Sequence, residues 1–222
     1  MMYLTRNKIY KKEEPSKDAT KIFIFCEGEY DEKAYFEYFK GFSSKIDILP
    51  IPNDNGKSDP SKLKALADRY ITDGTIIISS ELSDKIWFVI DTDRWNEGGK
   101  IGKLHSYIHE KNKLYNGWSV AQSNPSFEIW LYYHFHSQKP EQKDVKKYTS
   151  FKEYVSSKII GGFDNRKMPI HIMEATTNAE NNFESENGQP KLFSTDIFKL
   201  AQQILVFTQE PLLKCIENLK EH

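Results

Sequence analysis

The chain has 222 residues, which suits one large domain or one domain with an appendage, because domains average roughly 150 residues. Its 31 Lys and Arg residues face 32 Asp and Glu residues, so the formal net charge is −1 at pH 7. This balance excludes a polycation that binds nucleic acid through its overall charge. Binding of nucleic acid would instead need a local basic patch or metal ions.

Residues 1–20 form the first predicted element, a flexible N-terminal arm. Residues 1–21 hold six Lys and Arg against three acids and contain no apolar stretch of the kind that a secretory signal has. The apolar runs of the chain are far shorter than the ~18 residues of a membrane span, so we expect no membrane contact. Cys26 and Cys215 lie in no metal-binding spacing, and we interpret both as reduced thiols of a cytoplasmic protein.

Residues 21–137 alternate between apolar runs that are typical of strands and segments with helical spacing. We predict strands over 21–26, 45–51, 85–90 and 117–122. We predict helices over 30–42, 59–70, 101–115 and 123–135. Residues 71–84 fit either a short strand or the tail of a helix. The apolar runs do not alternate with polar residues, which indicates burial on both faces. This order predicts an α/β fold with a mainly parallel four-stranded sheet flanked by helices.

Residues 138–222 are predicted to form a mostly helical C-terminal extension with a loop near 175–192. Residues 139–167 hold eight Lys and Arg against four acids, which fits either a solvated surface or a surface that contacts phosphates. Our candidates for nucleic-acid contacts there are Lys158, Arg166 and Lys167.

Acidic side chains follow two of the predicted strands. The first strand runs into Glu27-Gly28-Glu29, and the third runs into Asp91-Thr92-Asp93. Because parallel strands end at the same edge of a sheet, these acids can converge there. Carboxylates without His or Cys are suited to Mg²⁺ or Mn²⁺, and alternation sends Asp91 and Asp93 to one side. Acids at strand ends also form turns and helix caps, so that role stays open.

A further acid, Glu128, lies in the first turn of the helix after the fourth strand. It therefore starts at the same edge of the sheet as the other acids. Its spacing alone favours a role in stabilising the helix dipole.

Three segments of the chain together resemble the RloB-like family, which comprises small prokaryotic proteins with a Toprim-type domain associated with abortive infection and phage defence. The segments are CEGEYDEKAYFEYF, DTDRW and SNPSFEIWLYYHF. The resemblance covers roughly residues 20–136, and residues 193–200 resemble the C-terminal helix of the family. It implies a Toprim-like sheet.

The resemblance also implies roles for the acids. Glu27, Asp91 and Asp93 would be the metal-binding residues, and Glu128 would belong to the site. Glu29 fits the family pattern and is a candidate ligand of a second ion. The family often has Thr before the acid of the next turn, where this chain has Asp31-Glu32, so the part played by Glu32 stays open.

The activity that the resemblance implies is a nuclease of phage defence that depends on Mg²⁺ or Mn²⁺ and hydrolyses phosphodiesters in DNA or RNA. Its catalytic residues would be Glu27, Asp91, Asp93 and Glu128. The resemblance also suggests an ATPase partner subunit that controls this activity. Two alternatives stay open: a non-catalytic module that binds nucleic acid or protein, and a receiver-like domain in which an acid accepts a phosphoryl group.

Overall fold

The structure, a computed structural model, describes residues 12–53, 59–92 and 99–220. Its strands are β1 (Thr20–Cys26), β2 (Ile46–Pro52), β3 (Lys85–Asp91), β4 (Trp118–Asn124), β5 (Ser185–Glu186), β6 (Gln189–Pro190) and β7 (Ser194–Thr195). Its α-helices are α1 (Asp31–Glu37), α2 (Pro60–Thr72), α3 (Lys100–Asn112), α4 (Glu128–Tyr133), α5 (Gln142–Val145), α6 (Phe151–Lys158), α7 (Ile172–Asn181) and α8 (Ile197–Lys220). The predicted α/β fold with a helical C-terminal part is confirmed.

The main sheet has the strand order β2-β1-β3-β4-β7. The first four strands are parallel, and β7 pairs with β4 in the antiparallel direction. The predicted four-stranded sheet therefore gains a short fifth strand. Since β2 lies on one side of β1 and β3 lies on the other, the chain changes its direction of strand addition between β1 and β3. This boundary is a topological switch point, where sheets of this kind bind ligands.

Both faces of the sheet are covered, as the continuous apolar runs predicted. In β1, Ile22 and Ile24 belong to a buried cluster with residues of α1, α4, α7 and α8, which defines the first face. Phe23 and Phe25 belong to a separate cluster with residues of α2 and α3, which defines the second face. Burial on both sides follows because successive side chains of a strand point to opposite faces. In the described part of the chain, no helix combines the length and the apolar character needed to cross a membrane.

The outer strand β2 contains two prolines, Pro50 and Pro52, which pair with Ile24 and Cys26 of β1. Proline has no backbone N–H to donate, so it is tolerated in a sheet mainly on an edge strand. The place of β2 at the edge is consistent with this restriction.

Part of the predicted N-terminal arm is bound to the fold. The backbone N–H of Glu13 donates to the Gly41 carbonyl at 2.9 Å, and that of Ser16 donates to the Ser44 carbonyl at 2.8 Å. The Glu13 carboxylate also accepts a hydrogen bond from the Ser44 N–H at 2.8 Å. Residues 13–16 of the predicted arm therefore hydrogen-bond to the chain that follows α1, the flexibility of the arm stays a prediction, and residues 1–11 lie outside the described residues.

The predicted loop near 175–192 is wrong for its first seven positions, because α7 continues to Asn181. Its polar residues suggest a loop, but Ile172, Ala175 and Ala179 recur at helical spacing and are buried. Residues 73–84 form neither of the two predicted alternatives. They are turns, bends and irregular backbone. The buried Asp84 accepts hydrogen bonds there from the N–H groups of Lys21 and Ser79, each at 2.8 Å.

Candidate functional site

The switch point brings Glu27 and Asp91 together at the carboxyl edge of the sheet. The register pairs Cys26 of β1 with Val89 of β3, and the Glu27 N–H donates to the Val89 carbonyl at 3.0 Å, so Glu27 lies beside the end of β3. Glu27 is buried, and its Oε2 accepts a hydrogen bond from the Asp91 N–H at 2.9 Å. Two acids that are 64 positions apart in the chain thus lie side by side.

The chain leaving β3 is fixed as far as Thr92. Its N–H and its hydroxyl both donate to the Ser123 carbonyl, each at 2.8 Å, and its hydroxyl accepts from the Gln122 side chain at 2.8 Å. Asp93, the third predicted metal ligand, lies outside the described residues. Within the described ranges, no group of three or more His, Cys, Asp or Glu side chains is placed to hold a metal ion. The three-acid metal site stays a prediction.

Glu128 begins α4 and has polar contacts on both carboxylate oxygens. Its Oε2 accepts from the Ser126 hydroxyl at 2.5 Å, and its Oε1 lies 3.7 Å from the Lys152 Nζ. Its side chain is only 18% exposed. Glu128 therefore belongs to a contact network at this edge in addition to its position in the first turn of a helix.

Glu32, whose role the sequence left open, is buried beside the acids. Its Oε1 accepts a hydrogen bond from the Gly28 N–H at 3.2 Å, and its side chain is only 6% exposed. Burial is the main cause that raises the pKa of Glu32 to about 7, and the negative charges of Asp31, Glu128 and Glu27 contribute to the same rise. These effects identify Glu27, Glu32 and Glu128 as members of one electrostatic cluster.

Glu29 differs from this cluster because its side chain is exposed. It accepts a hydrogen bond from the Tyr30 hydroxyl, which raises the pKa of Tyr30. Its predicted role as a metal ligand stays a prediction.

The three predicted nucleic-acid contacts have partners of their own. Arg166 donates from Nε and Nη2 to the Asp164 carboxylate at 2.9 Å each, and Lys167 lies 3.8 Å from the same carboxylate. The Lys158 Nζ lies over the Tyr154 ring, 5.4 Å from its centroid. Their role in binding phosphates stays a prediction.

Among the described residues, Lys152 is a cation that contacts acids at this edge of the sheet, and it was not among the predicted site residues. Its Nζ lies 2.9 Å from the Asp31 Oδ2 and 3.7 Å from the Glu128 Oε1. The hydrogen bond to Asp31 raises the pKa of Lys152. The sequence places Lys152 in the basic stretch 139–167, but only its tertiary contacts with Asp31 and Glu128 distinguish it from the other cations there.

The donor set at this edge suits a hard divalent cation. The polar groups gathered there are carboxylates, and oxygen ligands of this kind fit Mg²⁺ or Mn²⁺ better than Zn²⁺. The nearby Cys26 thiol is fully buried, and burial raises its pKa well above the usual range, so it stays protonated and is a poor ligand. The chemistry of Glu27 and Asp91 therefore suits the predicted ion, and their role as its ligands stays a prediction.

A cleft of about 780 Å³ opens at the carboxyl end of β4. Asn124 lies in its wall and donates from Nδ2 to the Pro190 carbonyl at 2.9 Å. The opposite wall is the β5–β6 hairpin, whose turn residues Asn187 and Gly188 both have positive φ, as a two-residue turn of this type requires. The cleft therefore lies on the same edge of the sheet as Glu27 and Asp91.

Comparison with known proteins assigns the chain to a family. No curated protein and no solved structure matches it. A family model described as RloB-like protein matches residues 22–204. The match extends beyond the segments that carried the resemblance and includes β1, β3, α4 and α6, which hold the acids and Lys152. The chain therefore belongs to the RloB-like family.

Proposed function

We propose that this protein is a metal-dependent nuclease of the Toprim type that hydrolyses phosphodiesters in DNA or RNA during phage defence. The observation that carries the proposal is the pairing of Glu27 with Asp91 across the switch point. A parallel sheet binds its ligands at this position, and carboxylates there repel a nucleic-acid backbone unless a cation lies between them.

The cation would be Mg²⁺ or Mn²⁺, held by Glu27, Asp91 and the predicted third ligand Asp93. When bound, such an ion neutralises charge on the scissile phosphate and makes a water molecule a stronger nucleophile. A second ion shared with Glu128 or Glu29 is part of the same proposal.

The protein's own groups supply the rest of the chemistry. Lys152 presents a positive charge next to Glu128, where it can stabilise the negative charge that develops on the phosphate. Glu32 can hold or release a proton near neutral pH because the pKa of its carboxyl is about 7, which is the range that suits a general acid or base. Ser126 orients Glu128 through its hydroxyl.

Control of such an activity is part of the proposal. A toxic nuclease acting in abortive infection has to stay silent until infection occurs. We propose that an ATPase partner subunit in the cytoplasm provides this control, as the family resemblance suggests.

The test is a cleavage assay with plasmid DNA, linear DNA and total RNA in Mg²⁺ or Mn²⁺. Glu27→Gln and Asp91→Asn keep the shapes of the side chains and remove their charges. Glu110→Gln and Asp144→Asn make the same changes at an exposed and a half-buried carboxylate, each of which pairs with a neighbouring lysine. We expect cleavage by the wild type and both controls, and a loss of at least about a hundredfold in the two site variants.

Equal cleavage by all five proteins would identify a contaminating nuclease and would contradict the proposal. A non-catalytic binding module is favoured by one observation, the absence of a group of three metal-ligating side chains among the described residues. That alternative predicts nucleic-acid binding without cleavage, and binding that Glu27→Gln and Asp91→Asn leave intact.

A further inference from the structure

An aromatic ring is exposed on the loop that carries the first acids of the site. Tyr30 follows Glu27 by three positions and is 72% exposed. Among the described aromatic side chains it is the most exposed, followed by Phe135 at 42%. Tyr35 and Phe36, only one turn further along α1, are fully buried. Packing therefore does not account for the ring at position 30.

Helix capping does not account for this ring either. Tyr30 is the N-cap residue of α1, a position that favours Ser, Thr, Asp or Asn because their side chains accept a backbone hydrogen bond. The Tyr30 side chain makes no capping hydrogen bond, and only its backbone carbonyl contributes, by accepting from the Ala34 N–H at 2.9 Å. A small polar residue would serve the helix at least as well.

The backbone that carries the ring is nevertheless held in place before any ligand binds. Tyr30 directly precedes α1, which Tyr35 and Phe36 anchor in the core. A ring on an ordered backbone loses less conformational freedom when a ligand packs against it than a ring on an unstructured segment does. The ring is thus a flat apolar surface offered to solvent.

The position of the ring identifies the ligand chemistry. The next residue, Asp31, pairs with Lys152 at 2.9 Å, and Glu27 lies on the same loop. In the proposed function a phosphodiester lies at this edge, so the nucleotides next to the scissile phosphate pass close to this loop. Each nucleobase has an aromatic face that can stack on a tyrosine. In a duplex those faces are covered by neighbouring bases, so only an unpaired base can use the ring.

We propose that Tyr30 stacks on an unpaired nucleobase of the substrate, and that the site therefore takes single-stranded nucleic acid or unpaired stretches in preference to duplex. This inference rests on the proposed function and names its substrate class. It assigns to Tyr30 a role in specificity, separate from the carboxylates that would carry out the reaction.

The test measures binding rather than cleavage. Short fluorescent oligonucleotides of single-stranded DNA and RNA, and the same sequences as duplexes, are titrated with the full chain in Ca²⁺. The variants are Tyr30→Ser, which removes the ring, and Tyr30→Phe, which keeps the ring and removes the hydroxyl. Leu114→Ser is the matched control, because Leu114 is 89% exposed and precedes β4 at the opposite edge of the sheet.

We expect Tyr30→Ser to weaken single-strand binding about tenfold, the effect of losing one stacked base. Tyr30→Phe and Leu114→Ser should bind like the wild type, and all variants should keep its melting temperature. A series of oligonucleotides with one abasic position separates stacking from a general structural effect. At one position, loss of the base should weaken wild-type binding by the same factor and should leave Tyr30→Ser binding unchanged.

Wild-type affinity in Tyr30→Ser, equal sensitivity of both proteins to every abasic position, or tighter binding of duplex would overturn the inference. Failure of the wild type to bind any single strand would also overturn it. The cleavage assay with Glu27→Gln and Asp91→Asn judges the nuclease proposal separately, so the two can fail independently.

Discussion

Gly28 is the residue that makes room for a buried carboxyl group. A Cβ atom at this position would lie 1.9 Å from the Glu32 Oε2, so any other residue would force that carboxylate out of its place. The N–H of Gly28 instead donates to it at 3.2 Å. The close approach of the Glu32 side chain therefore explains a glycine at this position.

The buried carboxyl of Glu32 predicts an unusual dependence of stability on pH. Its pKa is near 4.5 when exposed and about 7 in the folded protein. Between these values the folded state binds more protons than the unfolded state, so the free energy of unfolding falls as pH rises through this window. Glu32→Gln keeps the acceptor for Gly28 and removes the ionisation. We expect the variant to match the wild type near pH 5 and to exceed it at pH 8 by up to about 3 kcal/mol.

Urea unfolding in EDTA at several pH values measures this effect without interference from bound cations. Glu37→Gln, at the exposed end of the same helix, should change the free energy of unfolding by less than about 0.5 kcal/mol at each pH. A wild-type stability that rises between pH 5 and 8, and that Glu32→Gln does not alter, would show that the Glu32 carboxyl has an ordinary pKa.

Among the elements, α6 is the one that connects the C-terminal part to the acids. Its Lys152 is 66% exposed, and exposed ion pairs contribute only about 0–1 kcal/mol to stability. We therefore expect Lys152→Met to leave stability nearly unchanged and to lower the cleavage rate about a hundredfold, as loss of a group that stabilises a transition state does. Steady-state cleavage kinetics check this.

The control for that variant is a lysine at the opposite edge of the sheet. Lys113→Met removes a cation that pairs with the exposed Glu110 at 2.7 Å instead of with the acids of the site, and it should retain the wild-type rate. Equal losses in both variants would indicate a general effect of lost positive charge. Wild-type cleavage by Lys152→Met would exclude a catalytic role for Lys152.

Strand β7 is attached to β4 by a buried pair of hydroxyl groups. Ser123 and Thr195 are fully buried and lie 2.8 Å apart, Oγ to Oγ1. Thr195→Val leaves the Ser123 hydroxyl without this partner, and we expect a loss of about 1–3 kcal/mol in the free energy of unfolding. Chemical denaturation of Thr195→Val, of Ser123→Ala and of the double variant gives the coupling free energy between the two hydroxyl groups. The double variant should lose less than the sum of the single losses, whereas exact additivity would show that the hydroxyl groups do not depend on each other.

An element can be predicted from the sequence when burial or a local hydrogen bond determines it. Strands β1 and β3 are predicted within one residue because both faces are buried and the runs are continuously apolar. The start of α2 is predicted from Asp59, whose side chain accepts from the Ser61 N–H at 2.8 Å. The two-residue strand β7 is not predictable, because its pairing depends on where α7 and the hairpin direct the chain.

The acids at the strand ends of the candidate site could be predicted from the sequence, and its other residues could not. The acids at the ends of β1 and β3 meet because strand direction alone determines which edge they reach. The contact of Lys152 with the acids depends on long-range packing. No local pattern separates Lys152 from seven other cations in residues 139–167. The burial of Glu32 also results from tertiary packing, since its position in the first turn of α1 is compatible with full exposure.

At the scale of the whole molecule, the two faces of the sheet share the same strands. Trp130 belongs to the buried cluster of the first face and Trp118 to that of the second. The first cluster includes residues of both α1 and α8, and the Trp87 Nε1 of β3 donates to the Gln203 side chain of α8 at 2.9 Å. Loss of either layer would expose the apolar side of the same four parallel strands.

We therefore expect the chain to unfold in one cooperative transition. Two variants that keep a single tryptophan, at position 118 or at 130, with Phe at the other tryptophan positions, report on the two faces separately. Their fluorescence midpoints in urea should coincide with each other and with the loss of helical circular dichroism. A lower midpoint for the Trp130 reporter would show that the C-terminal helices leave the sheet first.

The two prolines of β2 have a consequence for how copies of this protein behave toward one another. An outer strand offers its free N–H and C=O groups to any extended chain that approaches, which is a common start of aggregation. Pro50 and Pro52 are two positions apart and therefore share one side of β2. Because proline is tolerated on an edge strand where its missing N–H would face solvent, we expect them to remove two donors from the outer side of β2. The two prolines that suit β2 to the edge of the sheet therefore also disfavour the addition of a strand from another copy of the protein.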